Sequence, residues 1–432
     1  MMAGVIALCL AGNNSLCAQE DLSLEKAIAT GLANNFSILL QRNEAQVARN
    51  NNTLGNAGFL PSLSLSATQN NTFSTTHQEQ FSGAVKDVDN AVNNSFNTGV
   101  HLNWTLFDGM NMFAGKKALD ILQELGENGS RLVVEGTVAD ITLAWCTIVQ
   151  LKKLVKVTRD AVDLSMRRKA IAVAKVSLGA GSQLMLLQST VDLNADSTRL
   201  VRQLAQLEQA RADLNQLMAR DPQTPFDITD SIRTGNPGTY DQLLKEALAQ
   251  NTSLIAARLS LDLARQELRQ TRSDRYPVFW VSGGYSYSTL QAQTGFLKSN
   301  QAYGPSVAMN LSYNLFNGFN VNRAVRNAKV SLNSGEIGIE EATQEVKAGI
   351  FRAVTDFLAS MAIVAMQDQN VNVARENVTI AFEKYQIGSI NDIELREIQQ
   401  KQIDAESQLI LAQFDAKKAE VELERLTGRL VR

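Results

Sequence analysis

The sequence predicts a mainly α chain with a β-barrel portion, built from a helix–β-hairpin–long-helix–helix unit that occurs twice. Three observations carry this expectation. The first is the scarcity of proline. The 432 residues hold six prolines, where a usage of about 5% would give roughly 20. They stand at Pro61, Pro222, Pro225, Pro237, Pro277 and Pro305, so residues 62–221 and 306–432 contain none. An interior proline removes a helical hydrogen bond and clashes with the preceding turn, so these empty tracts are where long helices fit. The second observation is a repeat. Residues 104–109 read WTLFDG and residues 313–318 read YNLFNG, 209 positions later. The same offset relates Gly179 to Gly388, Leu214 to Leu423, Leu217 to Leu426 and Arg220 to Arg429. The third is that four short segments alternate apolar and polar residues, the period of a strand with one greasy face.

Taken in order, residues 1–18 form a short apolar leader (MMAGVIALCLAG, then a polar stretch to Ala18) and read as a secretory signal peptide. No Lys or Arg precedes Lys26, and Asn14-Ser15-Leu16 lacks the small residue expected before a lipidated cysteine at Cys17. No other stretch approaches the 18 to 20 apolar residues of a membrane helix, so any membrane crossing is expected to use strands. The first repeat covers 19–220. Within it, 21–57 reads as one helix, strands are expected at about 61–75 and 95–107, a long helix at about 110–177 and a return helix at about 183–219. Residues 221–239, with three of the six prolines, form the linker between repeats. The second repeat, 240–432, places one helix at 240–274, strands at about 277–288 and 305–316, a long helix at about 319–386 and a return helix at about 392–427. The stripe Ile141, Trp145, Ile148, Val155, Val162 steps by fours, threes and sevens, as a coiled-coil seam does. Its equivalent is Ile350, Val354, Phe357, Val364, Val371.

The composition excludes several functions. Only His77 and His101 are available, too few for a histidine-rich metal site. A formal charge of −3 gives no general attraction for nucleic acid. With Cys9 and Cys17 in the leader, Cys146 has no partner for an internal disulfide. Gly179-Ala180-Gly181-Ser182 lacks the following Lys-Ser/Thr of a phosphate loop, so it reads as a helix–helix turn. No nucleophile–base pair stands out. Neither an enzyme nor a cofactor is expected.

The strands carry the functional information. Leu63, Leu65 and Ala67 alternate with serines, and Val100, Leu102, Trp104 and Leu106 with Gly99, His101, Asn103 and Thr105. Phe279, Val281, Tyr285 and Tyr287 share a face, as do Val307, Met309, Leu311, Tyr313 and Leu315. Four strands cannot close a barrel, because the smallest membrane barrels use eight, and lipid does not tolerate open edges. The chain must then oligomerise, around a lumen lined by Ser, Thr, Asn and Gly. Two other readings stay open on these residues: a soluble sandwich face, and a secreted filament-like or surface structural protein with long coiled-coil helices.

The sequence also resembles a known family, the TolC-like outer-membrane efflux proteins. The likeness rests on the Leu-Phe-Asx-Gly junctions at 106–109 and 315–318 and the turns LGAGSQLMLLQ (178–188) and YQIGSINDIELREI (385–398). The helix ends DLNQLMAR (213–220) and ELERLTGR (422–429) add to it. It implies a homotrimer in the outer membrane, with a 12-stranded β-barrel continued by a long periplasmic α-helical barrel. It implies a passive exit duct of a tripartite efflux or type I secretion system, with outer-membrane lipid around the strands. A periplasmic adaptor would dock at the turns, Gly179, Ala180, Gly181 and Ser182 with Gly388, Ser389, Ile390 and Asn391, and an inner-membrane transporter would deliver cargo. By the same resemblance Glu394 and Glu397 constrict the pore and Tyr385 belongs to the gate. Met185 stands where the first repeat would match Glu394, so an acidic ring depends on the second repeat alone. Asn391 and Glu394 equally form a helix-capping pair. The nature of the cargo is not legible.

Overall fold

The computed structural model describes residues 20–295 and 297–430; the leader and Cys17 lie outside the described residues. The chain divides into two compact units, one of residues up to Leu40 with Leu132–Asn251 and the segment from Glu345, the other of Gln41–Arg131 and Thr252–Gln344.

The chain opens with a two-residue strand β1 (Glu20–Asp21), then α1 (Leu24–Asn34) and α2 (Phe36–Asn51). The second repeat begins with α5 (Tyr240–Gln250) and α6 (Thr252–Ser273). Each of the segments read as one helix of about 36 residues is therefore two helices, a correction with a clear cause. Asn35 and Asn251 leave the helical region, with ψ of 127° and 122°. An Asn side chain competes with the helix for backbone groups. Asn35 Oδ1 accepts from Ser37 N and Ile38 N, starting α2 afresh. Its Nδ2 donates to the Leu217 carbonyl at 2.8 Å, and Asn251 Nδ2 donates to the Leu426 carbonyl at 3.0 Å. Those acceptors are the last residues of α4 (Gln183–Leu217) and α8 (Asp392–Leu426). One amide thus stops one helix, and in the first repeat starts a second, while it satisfies the open end of a third. Asn35→Ala is expected to lower stability by about 1–2 kcal/mol in chemical unfolding, the scale of a lost cap.

Four strands form one antiparallel sheet in the order β2 (Ser62–Glu79), β3 (Val85–Phe107), β5 (Val278–Ala292), β6 (Ser299–Ser312). They run further than the apolar alternation that located them, because beyond it the ladder continues through polar residues such as Thr72–Asn93 and Gln291–Ser299. Directly opposed residues share a face. Leu63 faces Leu102, Leu65 faces Val100, Trp104 faces Val281 and Val281 faces Met309. Val100 faces Tyr285, and Gly283 faces Val307. The register therefore gathers most of the apolar residues of the four strands on one side; Trp280, opposite Thr105 and Asn310, and Leu290, opposite Ser95 and Asn300, lie on the other. Ser64, His101, Gly284 and Ser306 form a row on the other side, and Ser66, Gly99, Ser286 and Gly304 form the next. β2 and β6 are left as edges.

The Leu-Phe-Asp-Gly junction has a steric reason. Gly109 adopts φ +69°, and a Cβ there would lie 2.5 Å from the Ser273 carbonyl oxygen. Only glycine lets the end of β3 pass α6 at this distance. Beyond it run α3 (Asn111–Ser177) and, in the second repeat, α7 (Asn320–Gln386), each of 67 residues. The α3 seam packs as the stripe requires: Ile141, Trp145, Ile148 and Val155 are buried with Leu207, Leu214 and Met218. Leu22, Phe226 and Ile228 join this core, so the linker is not wholly irregular; β4 (Phe226–Asp227) pairs in parallel with β1. Ile350 and Phe357 pack likewise with Leu243, Leu423 and Leu426.

One expectation is corrected by the long helices. An 18-residue stretch of each is apolar enough, by composition, to cross a membrane. That of α3 is 56% buried within the chain and that of α7 only 22%. The cause is the packing seam itself: dense apolar heptads on a long helix reach the composition of a membrane span. In α7 Phe351, Leu358 and Met366 remain exposed, more apolar surface than one chain covers.

Candidate functional site

The two helix turns are built alike. Gly179 and Gly388 sit at φ +71° and +79°, the left-handed conformation that ends a helix. Ala180 N donates to Lys175 O and Ser389 N to Lys384 O, both at 2.8 Å, closing the same six-residue loop in each repeat. The next helix then starts on a capping residue. Ser182 Oγ accepts from Met185 N at 3.2 Å, and Asn391 Oδ1 accepts from Glu394 N at 2.9 Å. The turn residues Gly179, Ala180, Gly388 and Ser389 are exposed; Gly181 and Ile390 are partly covered.

Glu394 and Glu397 both lie on the exposed side of α8. Glu394 also completes a capping box, its carboxylate accepting from Asn391 N at 3.3 Å. Glu397 pairs with Lys401 at 2.7 Å, and that contact holds its carboxyl below the usual carboxylate range. Tyr385 is elsewhere. It is 1% exposed and packs with Ala381 and Leu395. Its hydroxyl is buried without a hydrogen-bond partner of sound geometry. Burial, with Asp392 next in effect, pushes its pKa up to about 12, so the phenol stays neutral at any physiological pH. Lys175 covers the ring at 4.5 Å and donates to the Tyr385 carbonyl at 3.1 Å. The three residues named from the sequence are therefore not one cluster: the acids face outward and the tyrosine inward.

Beside Tyr385 lies a charge network that the sequence reading missed. Arg168 of α3 is fully buried. It reaches both carboxylate oxygens of Asp392, at 2.8 and 3.3 Å, and Asp192 of α4 at 3.2 Å. Arg396 of α8 holds Asp196 of α4 through two bonds of 2.7 and 3.0 Å. Ser165 donates to Asp196 at 2.7 Å, and Gln399 bridges Ser165 and the Ala161 carbonyl. Two guanidinium groups and three carboxylates thus tie α3, α4 and α8 together near their turns. The planar forks of Arg168 and Arg396 make these contacts bidentate, the strong and directional form of the bond. A signal was present: after Val162 the buried face of α3 carries polar residues, Ser165 and Arg168, at steps of three before Ala172. Asp192 and Asp196 are spaced by four, as are Asp392 and Arg396.

No group of three or more metal-ligating side chains occurs among the described residues. The site offers buried ionic joints, exposed turns and outward carboxylates.

Comparison with known proteins gives one concordant result. The profile of the outer membrane efflux protein family matches residues 27–220 and 243–429. The chain is 25% identical over 190 residues to the outer membrane protein TolC of Salmonella enteritidis, spanning 43% of this chain and 39% of that protein. It is 22% identical over 409 residues to the alkaline protease secretion protein AprF of Pseudomonas aeruginosa, spanning 90% of this chain and 83% of that one. The outer membrane protein VceC of Vibrio cholerae has the same fold, with a TM-score of 0.76 at 16% identity over 94% of this chain and 96% of that chain.

Proposed function

The chain belongs to the outer membrane efflux protein family, and from that premise we propose that it is the outer-membrane exit duct of a tripartite efflux or type I secretion system. The observation that carries the reading is the sheet. Most of its apolar residues lie on one side, while the other carries rows of Ser, Gly and Asn with Trp280 and Leu290 among them, and both edges are unpaired. Hydrocarbon has no water to satisfy open edges, so the sheet must close with copies of itself. Three copies supply twelve strands, an even number in the range of membrane barrels. The apolar side of α7 left exposed in one chain, with Phe351, Leu358 and Met366, supports a homotrimer, since a subunit contact would cover it. The polar side then lines a water-filled passage, and cargo moves through it without chemistry. The family is one of channels, not of enzymes. A secreted filament would have no use for a sheet with an apolar side and open edges.

The exposed turns, Gly179 to Ser182 and Gly388 to Asn391, would receive a periplasmic adaptor, through backbone groups and small side chains. An inner-membrane transporter would supply the energy and choose the cargo. Glu394 and Glu397 would set the constriction. Two unit charges about 6 Å apart in water repel by roughly 0.7 kcal/mol, and more in a narrow throat, so a ring of them favours cations.

The reading is tested by the mass of the purified oligomer in detergent together with its single-channel conductance. A trimer with stepwise conductance is expected; a soluble, non-conducting protein overturns it. In the same bilayers Glu394→Gln/Glu397→Gln channels are expected to lose cation preference. An unchanged cation/anion permeability ratio removes these two residues from the constriction.

A further inference from the structure

A second site lies where the strands give way to helices. The end of β3, the start of α3 and the end of α6 enclose a groove of about 580 Å³, lined by Phe107, Phe113, Tyr276, Lys117, Arg269 and Arg272. That volume is in the range of small-ligand sites. Its two chemistries are separate. Phe113 and Tyr276 are exposed aromatic rings, and Phe107 pairs with Phe279, which pairs with Leu311 on the apolar side of the sheet. The groove is therefore continuous with the surface assigned to lipid. Its other wall carries three cations, all exposed. None of them makes an ion pair among the described residues; Arg269 donates only to Gln266, at 3.2 Å. The neighbouring acids do not pair with these cations: Asp120 is held by Lys116 and only feels the field of Lys117, and Asp108 Oδ1 is buried without a partner. Asp108 Oδ2 accepts from Met112 N at 2.9 Å, and Glu267 lines a different groove with Asn56 and Gln270.

We propose that this groove binds the headgroup of an anionic phospholipid, its phosphate on Lys117, Arg269 and Arg272 and its acyl chains along the apolar side of β3 and β5. The arrangement matches such a molecule end for end. Guanidinium forks and an ammonium group suit phosphate oxygens, aromatic rings suit the interfacial layer, and the sheet beyond suits hydrocarbon. A free phosphate would use the cations and leave the aromatic wall uncovered. The proposal rests on the membrane reading above.

The test is native mass spectrometry of the purified oligomer released from bilayers of equal phosphatidylglycerol and phosphatidylcholine. The wild-type oligomer is expected to retain phosphatidylglycerol over phosphatidylcholine by about fivefold or more, the scale of attraction of basic residues to an anionic membrane surface. Lys117→Gln/Arg269→Gln/Arg272→Gln should bring that ratio close to one, with oligomer mass and conductance unchanged. Lys117→Arg/Arg269→Lys/Arg272→Lys should keep it. An oligomer that inserts and conducts but shows no headgroup preference overturns this inference alone; a protein that never inserts overturns the membrane reading with it. Dissociation of the triple glutamine variant into monomers would make the groove a subunit contact, and full release of the lipid by excess inorganic phosphate would make it a phosphate site. Either result overturns the proposal.

Discussion

Arg168→Met is expected to destabilise the protein by about 3–5 kcal/mol, because it leaves Asp392 charged and buried without its partner, and Asp192 held only by Arg396 at 3.8 Å. Arg168 is fully buried, and its two acidic partners come from different helices, α4 and α8. Water cannot replace it without opening the packing around Tyr385 and Leu395. The loss should be local first. Amide exchange is expected to accelerate around residues 165–172 and 385–399 before the Trp145 core responds. A second variant separates charge from packing: Arg168→Met/Asp192→Asn/Asp392→Asn should recover most of the stability, since apolar or neutral replacements of whole buried pairs are often tolerated. Equal instability of the single and triple variants would show that the guanidinium acts by filling space rather than by neutralising the acids.

The second large effect concerns the faces of the sheet. Val307→Arg places a cation on the apolar side and is expected to cost about 2–4 kcal/mol if it lies near the middle of the bilayer, enough to reduce insertion sharply. Ser306→Arg changes the neighbouring residue, which the register puts on the polar side opposite Gly284. It should insert normally and instead lower conductance. Outer-membrane yield and single-channel recording of the two variants read the difference. If Ser306→Arg fails to insert and Val307→Arg does not, the assignment of faces is inverted.

The residues that made the fold legible are those whose signals are periodic. Alternation in Val307 to Leu315, the heptad stripe from Ile141 and the 209-residue echo of Phe-Asx-Gly each report a face or a boundary, and the observed helices α3, α4, α7 and α8 begin and end within a few residues of the expected positions. Single-residue effects were harder to see. Asn35 and Asn251 look like tolerable polar residues in helical stretches until Leu217 and Leu426 present the carbonyls that hold them. Pairing of β3 with β5 was invisible too, because register between distant strands depends on three-dimensional neighbours, not on local pattern. For the site, motif resemblance pointed to Glu394, Glu397 and Tyr385, which lie on or next to the second turn. It could not find Arg168, since Asn377, not a basic residue, occupies the matching position in the second repeat. The network is not duplicated, so repeat logic passes over it.

The pairing of β3 with β5 also dictates a timetable. Trp104 meets Val281 and Val100 meets Tyr285, so the two inner strands come from opposite halves of the polypeptide. A chain emerging N-terminus first completes the β2–β3 hairpin while its inner neighbour is still unmade, and the long helices α3 and α4 must be threaded before β5 arrives. Until then β3 waits with a free hydrogen-bonding edge and a greasy flank, the combination most prone to pair with the wrong strand. That exposed interval of β3 runs from the emergence of Phe107 to that of Ala292, while the outer edges of β2 and β6 stay open beyond it.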